Sequence, residues 1–412
     1  MKKTIIAAAA AVVIAGGIGG GYYLHQLEKK DMFELAMDGC PWQLKYRIAR
    51  GTDINTVGGE EKSLLMQAMT KPDNTANILT LINAGADVNQ NINGVTPLGF
   101  AALAQKDPRV FEALLNHGAE VNTPLRDNST ALMMAAGIQQ DPAIITMLLK
   151  HGADVNAVNG SGQTALMFAA EMNPNPDVIK VLAQSGAATN FATPTQGNIV
   201  QHALLQGNPA ILQALIDHGA QIQPHDLMIA INQGAGLPLL KILLNQIGTP
   251  DFTDNYGNTP LTLAAGTPQS GVDVIELLLN AGADVNKSDR SGMTPLMKAA
   301  ARPNEISLLR MIAAAGDRLD IENEPQELQD ALTAERAKIA AENTAILDLL
   351  LKAGADANKQ DHDGMTALMY AAATGKNPEV MDLLADAGAD LYKKNKAGLD
   401  AYDLSKIRPK EK

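Results

Sequence analysis

Cysteine is almost absent from this chain: Cys40 stands alone in 412 residues. That excludes an internal disulfide, and a lone thiol of this kind is expected to be buried and inert. Tryptophan occurs once, at Trp42, and aromatics make up only 3% of the residues, so small aliphatic side chains must do the packing. Positive charge is in deficit. The formal net charge of −12 argues against nucleic acid as a partner, because phosphate binding needs concentrated Lys and Arg. Catalytic signatures are missing as well: there is no H-E-x-x-H, no Gly-x-Ser-x-Gly and no CxxC. Ala373-Thr374-Gly375-Lys376 is followed by Asn377, where a phosphate loop needs Ser or Thr. Asp361-His362-Asp363-Gly364 opens like a calcium loop, but Tyr370 occupies the position of its distant acid. The chain therefore reads as non-enzymatic, with no cofactor and no metal.

What is present is periodic. A glycine recurs at Gly51, Gly85, Gly118, Gly152, Gly186, Gly219, Gly248, Gly282, Gly316, Gly354 and Gly388, mostly at gaps of 33 or 34, with one of 29 and one of 38. Before each lies an apolar stripe at helical spacing, such as Val274, Leu277 and Leu278. Further upstream comes a capped opening: Thr96-Pro97-Leu98, Thr130-Ala131-Leu132, Thr164-Ala165-Leu166, Thr259-Pro260-Leu261, Thr294-Pro295-Leu296 and Thr366-Ala367-Leu368. Asp107-Pro108, Asp141-Pro142, Asn175-Pro176, Asn208-Pro209 and Asn377-Pro378 mark the start of the second helix. His117, His151 and His218 precede the closing glycine, where the negative end of a helix dipole accounts for them.

In these motifs the chain resembles the ankyrin repeat family from about residue 31 to about 405. The resemblance implies an all-α repeat fold, a solenoid of about ten to eleven helix-turn-helix units with β-turn fingers. A divergent capping unit is expected at 25–57, in which Trp42 packs, and repeats at 58–397. Stacking is expected to be irregular at 196–256, with a charged helical insertion at 320–341 and a C-terminal cap and basic tail at 398–412. Met133, Met167, Met297 and Met369 replace the family's histidine after Thr-Pro-Leu. They are expected to be buried, and the lost hydrogen bond implies a more mobile finger array.

Residues 1–24 differ in kind. Lys2 and Lys3 precede an uncharged run from Thr4 to Leu24, about 31 Å long as a helix. An uncleaved membrane anchor is preferred, with a cleaved signal peptide as the alternative. Either one sends the repeats across a bacterial inner membrane to the periplasmic face, and a secreted form is the further alternative.

The family resemblance implies a protein partner bound through the concave face. Carried onto this sequence, the finger positions are Ile92, Asn93, Val95, Arg126, Asp127, Ser129, Ser161 and Gln163. In the later fingers they are Asn255, Tyr256, Asn258, Arg290, Ser291, Met293, His362, Asp363 and Met365. The first-helix positions are Leu103, Ile138, Glu171, Met172, Thr267, Arg302 and Thr374. The expected role is a scaffold that binds, inhibits or protects another protein; an exported effector or toxin seizing an external target is the alternative.

Overall fold

The computed structural model describes residues 30–58, 61–193, 197–302, 326–374 and 378–406. The expected leader at 1–24, Gly316, Asn377 and the tail beyond Lys406 lie outside them. The chain divides into two compact units, Met1–Gln221 and Ile222–Lys412.

Unit one is a series of helix pairs: α1 (Met32–Asp38) with α2 (Pro41–Ala49), α3 (Leu64–Ala68) with α4 (Thr75–Asn83), α5 (Pro97–Ala104) with α6 (Pro108–Asn116), and α7 (Ala131–Ile138) with α8 (Pro142–Lys150). It continues with α9 (Ala165–Met172) and α10 (Pro176–Gln184), then α11 (Ile199–Gln206) and α12 (Pro209–Asp217). First helices pack on first helices and second on second, so the pairs form two parallel rows. The sequence dictates each pair locally. Thr130 and Thr164 accept from the amides of Met133 and Met167, each cap contributing about 1 kcal/mol. Asp107, Asp141, Asn175 and Asn208 cap the following helices, each with Pro at the first position. Gly152 ends the pair at φ +87°, and a Cβ there would meet nothing within 4 Å. It is backbone conformation, not space, that requires glycine.

Between the rows, Leu132, Ala135, Ala136, Ile144, Ile145 and Leu148 are fully buried. Met133, Met167, Met297 and Met369 are buried as expected. The Met133 sulfur lies 3.4 Å from the Thr130 amide. Neighbouring fingers are tied by main chain instead of histidine: the Arg126 amide donates to Gly94 O at 3.0 Å and the Gly160 amide to Asp127 O at 2.6 Å. The finger at 192–198 closes as a two-stranded hairpin, β1 (Ala192–Thr193) antiparallel to β2 (Gly197–Asn198).

Unit two pairs α13 (Pro224–Asn232) with α14 (Leu237–Ile247), α15 (Pro260–Gly266) with α16 (Val272–Asn280), and α17 (Pro295–Ala301) with α18 (Gln326–Lys352). It continues with α19 (Ala367–Ala373) and α20 (Pro378–Asp386), and ends on α21 (Ala401–Lys406). The unit expected to close at Gly316 lies outside the described residues; among those described, α18 packs on both α16 and α20, and α17 packs directly on α19. Ile346, Leu347 and Leu350 fill the second-helix seat and are fully buried. Of the charged helical insertion expected at 320–341, residues 320–325 lie outside the described residues and the rest is the leading part of α18, with Glu335 and Lys338 3.9 Å apart.

Two expectations fail at the N-terminal pair. Cys40, which caps α2, is exposed. Trp42, two residues on, is 38% exposed.

Candidate partner-binding surface

Of the expected residues all but three are half-buried or exposed. In unit one, Ile92 and Val95 exchange both main-chain hydrogen bonds, at 2.9 and 3.0 Å, across a tip turned by Asn93 and Gly94. Both are half-buried. Arg126 is exposed, with Nε 2.7 Å from the Asn93 carbonyl, and Asp127 is exposed at φ 59°. Ser161 is exposed and Gln163 half-buried; their amides donate to Asn159 Oδ1 at 3.0 and 2.9 Å. Glu171 Oε2 lies 2.9 Å from His202 Nδ1. His202 is buried, and its Nε2 has no partner.

Along the first-helix row of unit one runs an exposed apolar stripe. Leu103 is 46% exposed, Ile138 41%, Met172 52% and Leu205 61%. Met172 and Phe168 lean over Gly137 of the preceding helix: a Cβ built there would lie 3.5 Å from Met172 Sδ and 3.6 Å from Phe168 Cδ1. Leu205 was not expected, because the opening motif of its helix is degenerate. Its place immediately before the helix end, as in Leu103, was the available signal.

In unit two the fingers create a pocket of about 400 Å³ lined by Asn255, Tyr256, Asn258, Asp289, Arg290, Ser291 and Lys298. Five of these, Asn255, Tyr256, Asn258, Arg290 and Ser291, were expected site residues. Tyr256 is 76% exposed, and the Arg290 amide donates to its carbonyl at 3.1 Å. Lys298 Nζ binds Asp289 Oδ2 at 2.7 Å. Burial raises the Asp289 carboxyl, but the Lys298 ammonium, the Ser291 hydroxyl and the Met293 amide outweigh it and hold the group below its ordinary value. Asp254 is likewise lowered against its burial by the Asn258 side chain and the amides of Asn258 and Tyr256. These carboxylates are spent inside the fingers. His362 and Asp363 are exposed at the next tip, while Met293 and Met365 are half-buried. Tyr370 donates to Asp361 at 2.6 Å, and burial together with that bond pushes its hydroxyl well up.

The exceptions are Ser129, Thr267 and Arg302, all buried. Thr267 turns its hydroxyl back to Leu263 O at 2.8 Å. Arg302, only 3% exposed, donates from Nη2 to Pro268 O and Ser270 O at 2.7 and 2.8 Å. It belongs to a series no motif announced. Gln105 reaches Met69 O and Lys71 O, Gln139 reaches Ala102 O and Gln105 O, and Asn173 reaches Ala136 O and Gln139 O. Each side chain at this helix end satisfies two carbonyls of the preceding layer, so Arg302 is a structural tie and not a contact residue.

Among the described residues no cluster of His, Cys, Asp or Glu could hold a metal ion, and no helix is long and apolar enough to cross a membrane. A family model described as ankyrin repeats in three copies matches residues 132–226 and 227–323. A second, described as ankyrin repeats in many copies, matches 336–385. Together they cover more than half of the chain. A comparison with curated proteins finds no match.

Proposed function

Since the chain belongs to the ankyrin repeat family, we propose that it is a non-enzymatic scaffold that holds a partner protein against its fingers and first-helix row. Ankyrin repeats are general protein–protein interaction modules, and stacked repeats present extended surfaces for such contacts. The observation that carries the reading is the apolar stripe of Leu103, Ile138, Met172 and Leu205. Large apolar side chains left exposed on successive layers suit an interaction site, because leaving them in water forfeits about 25 cal/mol per Å² that a partner recovers on binding.

Chemical cross-linking in cells producing the full chain, compared with the double variant Leu103→Asp and Met172→Asp, tests this. The wild type is expected to capture a partner at stoichiometric ratio and the variant to lose it while keeping its helical content. Equal capture by both overturns the reading.

The same proposal places the repeats on the far side of an inner membrane. It is supported by Lys2 and Lys3 ahead of the uncharged run at 4–24. A phosphatase reporter at the C-terminus, active only after export, tests it; a reporter silent in producing cells overturns it.

A further inference from the structure

Two cations stand exposed at the finger tips of unit two, in a chain whose formal net charge is −12. Main-chain bonds line up successive tips: Arg290 N to Tyr256 O at 3.1 Å, His362 N to Ser291 O at 2.9 Å and Lys396 N to Asp363 O at 2.9 Å. Arg290 and Lys396 are exposed at those tips, and no side-chain hydrogen bond or ion pair engages either among the described residues. The neighbouring carboxylates Asp254, Asp289 and Asp361 have their oxygens engaged within the fingers. Asp254 accepts from Tyr256, Asn258 and the Asn258 side chain. Asp289 is held by Lys298 and Ser291, and Asp361, 8% exposed, takes the Tyr370 hydroxyl. Asp363 stands exposed beside these cations. Unit one lacks this arrangement, because Arg126 is bound to Asn93 O and its tips carry the exposed acids Glu61 and Asp127.

We propose that the unit-two finger edge binds an acidic segment of a partner protein, one of whose carboxylates seats in the pocket between Tyr256 and Arg290. A free guanidinium offers a planar fork that matches a carboxylate with two parallel hydrogen bonds. Tyr256 supplies an aromatic wall and a hydroxyl at the same mouth, which suits an interface anchor. Lys298 and Asp289 pair with each other beneath, so Arg290 is the charged group lining the pocket whose side chain is left to engage a ligand. The inference rests on the scaffold reading above and adds the chemistry of the partner.

Fluorescence anisotropy with the full-length protein and short labelled peptides tests it. The probes are an Asp/Glu-rich peptide, its Asn/Gln counterpart and inorganic polyphosphate. The acidic peptide is expected to bind at least about tenfold more tightly than the amide peptide, and more weakly as salt rises. Arg290→Glu is expected to weaken it about tenfold or more and Lys396→Glu by less, while Arg126→Glu in unit one leaves it within about twofold. Circular dichroism confirms that the variants fold. Equal binding of the acidic and amide peptides, or an unchanged Arg290→Glu, overturns the inference, and so does polyphosphate binding as tightly as the acidic peptide. A chain that captures a partner through Leu103 and Met172 yet ignores the acidic peptide defeats this inference alone. A chain that binds nothing at either surface defeats the scaffold reading with it.

Discussion

Asn286 and Gly354 lie 68 residues apart in the chain and meet in space, with Asn286 Nδ2 3.0 Å from the Gly354 carbonyl. Asn286 Oδ1 also accepts the Asp356 amide at 2.8 Å. Asn122 makes the same two bonds at the ordinary repeat distance, to Gly152 O at 2.8 Å and from Asp154 N at 2.9 Å. A bond that normally joins consecutive repeats therefore reaches over a whole repeat length here.

Removal of residues 304–342 should consequently leave unit two folded. It joins Pro303 to Asn343 and restores a connection of the length seen between α7 and α8, residues 139–141. Urea unfolding is expected to stay cooperative, with stability changed by no more than about 1 kcal/mol, since loop length acts only logarithmically. Loss of the unit-two transition would show that Gly316 closes a unit of its own.

The buried ties at the helix ends make a second prediction. Gln139→Ala strands the carbonyls of Ala102 and Gln105, which its Nε2 now satisfies at 2.6 and 2.8 Å. A loss of about 2 kcal/mol is expected by denaturant titration. Arg302→Gln should be tolerated within about 1 kcal/mol, because glutamine does the same work at 105 and 139, whereas Arg302→Ala should cost about as much as Gln139→Ala. An Arg302→Gln variant as damaged as Arg302→Ala would mean that the charge near Glu342 matters more than the carbonyl ties.

The layered fold was legible because its signals are local. A Thr cap, a Pro at the first helical position and a Gly at positive φ each act within one turn, as at Thr294, Pro295 and Gly152. The finger residues of the pocket were legible for the same reason: Asn255, Tyr256, Asn258 and Arg290 sit at fixed offsets from a turn glycine. Arg302 was not, because its burial depends on two carbonyls more than thirty residues upstream. Lys298 and Asp289 were missed because their pairing joins a helix to a finger tip, and no short-range pattern marks that.

Asp289 predicts a pH dependence for unit two. Its folded carboxyl is lowered from 3.8, so the ionised form is the one folding favours. The stabilisation is present above the unfolded value and is lost as pH falls through the lower folded one. Thermal unfolding should thus shift downward as the solution is acidified past 3.8, and Asp289→Asn should flatten that dependence while lowering stability at neutral pH. Identical pH slopes for the variant and the wild type would show that the Lys298 pairing adds nothing to stability.

Two glycines on the first-helix row of unit one should respond oppositely to alanine. Gly137 lies within α7, and an added Cβ would meet Met172 Sδ at 3.5 Å and Phe168 Cδ1 at 3.6 Å, ordinary contact distances. Gly137→Ala therefore gains helix propensity without a clash, and about 0.5–1 kcal/mol of added stability is expected. Gly99 within α5 faces Leu125, whose Cδ2 would stand 2.5 Å from the new atom and Cδ1 2.8 Å. There the leucine must be displaced, and overpacking of about 1–3 kcal/mol outweighs the propensity gain. Denaturant titration of the two variants decides the matter. Equal gains would mean that Leu125 swings away freely, and losses at both sites would mean that the Met172 and Phe168 contacts over Gly137 are as unyielding as those of Leu125 over Gly99.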